Sequence, residues 1–214
     1  MKIRNLVSII FILFVLVGCN KKVKTTSETP VLKKITLTEG EYILNTQKSN
    51  LDWVGKELST KKHFGTINLN NGQIKIDSKG EINGLIEIDM ATINVTDLEG
   101  GSKNKLEGHL KSPDFFGVSD HPNASIKFKG NNKTISNNQI ELNGELKIKN
   151  ITHPISFMAD IIEIKDELQI KTKITFDRSK YNVRFRSGSF FDGLGDKLIL
   201  NDINVNVIVF AKKN

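Results

Sequence analysis

A single cysteine, four histidines and one tight cluster of arginines and aspartates are the side chains of this 214-residue sequence whose types and spacing could do chemistry. Cys19 has no second cysteine to pair with in the chain, so it is a free thiol, an intermolecular bridge or a point of attachment. His63, His109, His121 and His153 form neither HxH nor HExxH spacing, and no metal site follows from them. The segment FDRSKYNVRFRSGSFFDGLGD carries Arg178, Arg184 and Arg186 with Asp177, Asp192 and Asp196. Its carboxylates could act as an acid–base pair, an arginine could hold an anionic head group, or the charges could pair around a long loop. No Ser-His-Asp spacing, GxSxG, phosphate loop or cofactor fingerprint occurs. No catalytic residue is therefore assigned, no cofactor is expected, and the protein is not read as an enzyme.

The surroundings of Cys19 favour attachment. Lys2 and Arg4 precede an apolar run over residues 6–17, broken only by Ser8, and Gly18 is small. This is the layout of an export signal. The run falls short of the about 20 residues that cross a ~30 Å hydrocarbon core. The stretch Leu16-Val17-Gly18-Cys19 resembles the lipobox of bacterial lipoproteins, which implies cleavage before Cys19 and acylation of its thiol and new amino terminus. An uncleaved anchor, or a plain signal peptide with a chance cysteine, is the alternative. Residues 1–18 are thus read as signal, 19–40 as lipidated cysteine and flexible tether, polar and interrupted by Pro30, and 41–214 as the folded domain.

Loss of Lys2 and Arg4 lowers the formal charge from +7 to +5, still basic. A basic exported protein on a lipid tether meets anionic head groups rather than nucleic acid, which is not expected as a partner. Asn20, rather than the aspartate linked to inner-membrane retention in some lipoproteins, follows Cys19. The expected location is the cell envelope, at the outer membrane facing the periplasm.

The elements that must position any site are written in a period of two. ELNGELKIKN places Leu142, Gly144, Leu146 and Ile148 on one face, EINGLIEIDM places Ile82, Gly84, Ile86, Ile88 and Met90, and DINVNVIVF places Ile203, Val205, Val207 and Val209. Each reads as an antiparallel strand with one buried face. About eight strands result, with turn signals at residues 70–72, 78–80, 130–132 and 152–154. Between residues 97 and 118 the period breaks. Leu106 and Leu110 share a helical face, and Ser112, Pro113 and Asp114 carry N-terminal signals for a second short helix. Closure of eight strands into a barrel removes their edges, and the polar outward positions place the apolar ones in the lumen. Gly84 and Gly144 on the inward register either leave space there or mark bends. A barrel of this size is filled by side chains or holds one small ligand.

HLKSPDFFGVSDHPNASIKFKG (residues 109–130), GELKIKNITHPISF (144–157) and ITFDRSKYNV (174–183) resemble signature blocks of the YceI-like, polyisoprenoid-binding family. DWVGKELSTKKHFGTI before them and FFDGLGDKLILNDINVNV after them keep the family's order, from about Tyr42 to Ala211. The resemblance implies a mainly β, closed, antiparallel eight-stranded lipocalin-like barrel with a short helical insertion and an apolar lumen. It implies a long-chain amphiphile as partner, of polyisoprenoid, isoprenoid quinone or fatty amide type; a bound isoprenoid-type lipid would then be cargo.

By register, Trp53, Ile86, Ile88, Met90, Phe128, Leu146, Phe157 and Phe176 are candidate lumen walls. His109, Phe115, Phe116, Arg178, Phe190 and Phe191 are candidates for the mouth or lid. Twelve phenylalanines against one tryptophan and two tyrosines supply apolar area without polar atoms to satisfy. The other partner expected is the membrane, through acylated Cys19, and a dimer stays open. The alternative function is a non-enzymatic envelope scaffold with a side-chain-filled barrel, and lumen volume discriminates the two.

Overall fold

The computed structural model describes residues 37–134 and 136–214; the signal segment, Cys19 and nearly all of the expected tether lie outside the described residues. Nine strands follow one another: β1 (Gly40–Leu44), β2 (Asn50–Lys56), β3 (Lys62–Ile76), β4 (Glu81–Val95), β5 (Asn123–Asn131), β6 (Gln139–Ile148), β7 (Ile151–Ile164), β8 (Glu167–Asp177) and β9 (Asp202–Lys213). One helix, α1 (Gly100–Lys111), lies between β4 and β5.

These nine strands make eight staves. β2 pairs with the first half of β3 and with β9 around residues 204–208, whereas β1 pairs with the end of β3 and with residues 211–213 of β9. The two short strands therefore share one place in the wall, separated by a turn in which the Ser49 and Lys48 N–H groups donate to Asn45 O. Ser49 Oγ keeps the ladder continuous by accepting from Phe210 N–H at 2.9 Å. Antiparallel neighbours run from β9 through β8, β7, β6, β5 and β4, and β4 returns to β3, which closes the barrel. The fold begins at Leu37 rather than residue 41: Leu37 is buried and Thr38 N–H donates to Glu163 Oε2.

Several expected boundaries differ. Residues 70–72 form an irregularity inside β3 instead of a turn, and the register against β4 shifts between Leu69 and Asn71. An extra residue exchanges the two faces of a strand. The inward set of β3 accordingly passes from Gly65, Ile67 and Leu69 to Gly72, Ile74 and Ile76. In β4 it passes from Met90 to Ile93 and Val95, where Thr92 Oγ1 accepts from Asn68 N–H.

Thr152–Pro154 lie within β7, and the hairpin turn is Lys149–Asn150, both at positive φ. Proline is tolerated because β8 pairs only with residues 159–164 of β7, so Pro154 faces no ladder on that side. The resulting slit between upper β7 and upper β8 is covered by Tyr181, whose ring meets His153 at 5.2 Å and Phe176 at 5.8 Å.

The second helix expected at Ser112 is absent. Ser112 caps the C-terminus of α1, with both its N–H and its hydroxyl donating to His109 O, and the chain then turns through Gly117. A side chain already engaged with the preceding turn is not free to cap a following one.

The glycines leave no lumen space. A Cβ on Gly84 would stand 2.1 Å from Phe128 Cζ, and one on Gly144 1.9 Å from Lys127 O, so one glycine accommodates a ring and the other a close strand approach.

Candidate binding cavity

The two ends of the barrel differ. At the end carrying the β3–β4 and β7–β8 hairpins, Tyr42, Ile74, Ile76, Ile82, Ile140, Ile161 and Leu168 are at most 1 % exposed and fill the interior. Tyr42 Oη lies 2.8 Å from both Thr38 O and Glu163 Oε1, and burial first, then the Glu163 carboxylate, pushes its pKa up. Above this base lies a cavity of about 180 Å³, its floor formed by Leu142, Ile170 and Val209. It extends to the other end, where α1 and the long connection after β8 form a roof.

All eight lumen candidates line this cavity: Trp53, Ile86, Ile88, Met90, Phe128, Leu146, Phe157 and Phe176. The rings of Phe128 and Phe157 meet edge to face at 6.2 Å. Leu106 and Leu110, four apart on α1 as the sequence pattern requires, form the roof with Phe115 and Phe116. Helix α1 is held to β4 by Glu107 Oε1, which accepts from Val95 N–H at 2.8 Å, and by Lys103 Nζ, which donates to Asn94 Oδ1. Lys56, Glu57 and His63 reach the same end. There His63 Nδ1 lies 2.8 Å from Asp97 Oδ2, and Asp97 Oδ1 accepts from Phe64 N–H. Burial opposes ionisation of Asp97, but the Phe64 N–H and the His63 ring outweigh it, and the carboxyl is held below its usual range.

The remaining mouth candidates separate. Arg178 lines the cavity and is fully buried. Its guanidinium donates to three backbone carbonyls: Nε to Leu200, Nη1 to Val183 and Nη2 to Ile199, at 3.2, 2.9 and 3.0 Å. Burial lowers its pKa to about 10, partly offset by Asp177. Among the described residues none of Arg178, Arg184 and Arg186 forms an ion pair with Asp177, Asp192 or Asp196. Asp177 instead caps the following turn by accepting from Ser179, while Arg184 and Arg186 lie over Phe190 and Phe185. The loop is thus closed by arginine–carbonyl and arginine–ring contacts, which answers the ion-pair expectation.

His109 does not line the cavity: its ring packs edge-on against Phe115 and Phe185, at 5.1 and 4.4 Å, and braces the roof. Phe190 and Phe191 are 40 % and 49 % exposed on the outer side of the loop, away from the lining. Phe185, Ile93 and Ile199 were not among the sequence candidates. Ile93 is hidden by the change of face in β4, and the other two by an aperiodic loop. Val205 and Val207 also line the cavity, on the period-two face that the sequence already displays.

The match to the YceI-like domain covers residues 42–211. The chain belongs to the YceI-like family. Among solved structures, the YceI-like barrel here is similar to Burkholderia cenocepacia BcnA, with a TM-score of 0.62 and 16% identity, covering 79% of this chain and 99% of that one. It is also similar to a polyisoprenoid-binding domain from Saccharophagus degradans, with a TM-score of 0.56 and 12% identity over 83% and 100% of the two chains. The Campylobacter jejuni YceI protein gives a TM-score of 0.51 and 19% identity over 95% and 99%. At these identities the likeness is one of fold. No curated protein sequence matches the chain. Among the described residues of this YceI-like protein, no group of three or more His, Cys, Asp or Glu could hold a metal, and no helix is long and apolar enough to cross a membrane.

Proposed function

We propose that this protein binds or shuttles a long-chain amphiphilic lipid, of polyisoprenoid, isoprenoid quinone or fatty amide type, without catalysing a reaction on it. The observation that carries this reading is the cavity of about 180 Å³, walled by aliphatic and phenyl groups above a solid base. Engineered apolar cavities of about 150 Å³ stay dry and take up benzene, so this one is large enough for hydrocarbon. It is below the ~300 Å³ at which drug-sized sites begin. One chain end therefore fits beneath α1, and the rest of a long amphiphile leaves through the mouth. Each methylene taken from water contributes about 0.8 kcal/mol, so affinity needs no reactive group.

In the same reading the lipobox-like Cys19 is acylated and holds the protein at the outer membrane on its periplasmic side. Leu58, Phe190 and Phe191, exposed at the mouth end beside Arg184, suit a lipid surface from which cargo is drawn. The filled base is the observation that favours the second reading, an envelope scaffold whose loops contact other proteins.

Native mass spectrometry of protein purified from its own membranes, compared with Ile86→Trp, separates the two. Lipid binding expects a co-purified amphiphile in the wild type, lost in the variant with nearly unchanged melting of the lipid-free form. A wild type that carries no lipid, takes up no long-chain isoprenoid or fatty amide, and melts much lower once Ile86 is enlarged would end the lipid-carrier reading.

A further inference from the structure

Trp53 stands opposite Gly65 on β3 and Val205 on β9, in the part of the cavity nearer the mouth. It is 7 % exposed, and it is the chain's sole tryptophan. Its indole Nε1 is the one buried side-chain nitrogen or oxygen among the described residues that has no hydrogen-bond partner. Indole N–H is a donor only, and a buried donor left unpaired costs free energy that a wall of leucine or phenylalanine would not. The position is otherwise well fitted: Gly65 has no side chain, and the indole's Cζ2 edge lies 3.0 Å from where its Cβ would be. An unsatisfied donor in a well-packed wall of a ligand-sized cavity calls for an acceptor that arrives with the ligand.

We infer that Trp53 recognises the polar end of the cargo, its Nε1–H donating to a carbonyl, ether or hydroxyl oxygen of the amphiphile. This inference rests on the lipid-binding reading and adds two things to it. The cargo carries an oxygen acceptor instead of being hydrocarbon throughout, and it lies with that oxygen beneath α1 and its chain directed to the floor at Leu142 and Ile170. An oxygen at the opposite end would meet only the filled base, where every neighbour is apolar and the desolvation would go uncompensated.

The test uses full-length protein, stripped of lipid, and two probes of the same shape: decan-2-one, and 2-methyldec-1-ene, in which a CH2 group replaces the carbonyl oxygen. Affinities are measured for the wild type and for Trp53→Phe, which keeps a ring and removes the donor. The substitution should weaken the ketone roughly three- to tenfold more than the alkene, the ratio expected of one hydrogen bond, and comparison across the cycle cancels the hydration of the free ketone. Because there is one tryptophan, the wild-type indole N–H gives one NMR cross-peak. That peak should move downfield with the ketone and not with the alkene, a readout that does not depend on the variant folding. Equal losses for both probes, or an indole peak that answers both alike, would overturn the role of Trp53 and leave lipid binding standing. Failure of both probes to bind the wild type would remove the lipid-binding reading and this inference with it.

Discussion

The phenyl ring of Phe128 occupies the space that a side chain on Gly84 would take: the two residues are directly paired between β5 and β4, and a Cβ at Gly84 would lie 2.1 Å from Phe128 Cζ. The pairing sets the position of a cavity wall, since Phe128 also meets Phe157 across the lumen. Gly84→Ala should therefore overpack this corner and cost about 1–3 kcal/mol in urea unfolding. Gly84→Ala with Phe128→Leu should recover much of the loss. An alanine variant as stable as the wild type would mean that the ring moves at no cost.

Arg178 holds the connection after β8 by three carbonyls that have no other side-chain donor on the page of contacts it makes. Removing the guanidinium leaves those acceptors buried, and Arg178→Leu should cost on the order of 3 kcal/mol. The loss should be local. Hydrogen exchange should quicken at Val183 and over residues 195–200, while the filled base around Ile140 and Ile161 stays protected. Uniform loss of protection would show that the loop and the barrel unfold together.

The Asp97 carboxylate receives Phe64 N–H and the His63 ring and has a depressed pKa in the folded protein. A carboxyl whose folded pKa lies below its unfolded value, about 3.9, contributes stability that is present above that value and lost as pH falls through the folded one. The stability difference between wild type and Asp97→Ala should be of order 1–3 kcal/mol at neutral pH and should shrink below about pH 4. Urea unfolding across an acid pH series checks this, and a difference that grows toward acid would refute it.

Cys19→Ser should leave the barrel folded and move the protein from the membrane to the soluble fraction, since stable anchoring takes more than one acyl chain and the variant has none. Fractionation after a high-salt wash tests this; a variant retained at the membrane after the wash would refute acyl anchoring. Lys127, Lys129, Lys147, Lys171 and Lys173 are exposed on the outer face, and their replacement by Gln should weaken adsorption of the untethered protein to anionic vesicles. Lys149, expected on the same face, instead lies in the β6–β7 turn and donates to Asn182 O, so it belongs to the mouth and not to the outer wall.

The inward faces of β4, β6 and β9 were legible in the sequence because a strand alternates sides residue by residue, and burial of one side leaves an apolar letter at every second place. That was enough to find the barrel, the eight walls from Trp53 to Phe176 and the roof leucines of α1. The sequence could not reveal where that alternation slips. The slip that carries β4 from Met90 to Ile93 is fixed by a cross-strand bond from Asn68 to Thr92, which local spacing does not contain. Nor could it separate Ile82 from Ile88: both are inward isoleucines of one strand, yet the first is sealed in the base and the second faces the cavity. That outcome depends on Leu37 and Tyr42 arriving at one end of the barrel and α1 bridging the other. Arg178 reads as a solvated charge in a polar segment. Only the return of residues 183–200 over it supplies the carbonyls that let a guanidinium be buried, because burial without hydrogen bonds would cost more than the fold could return.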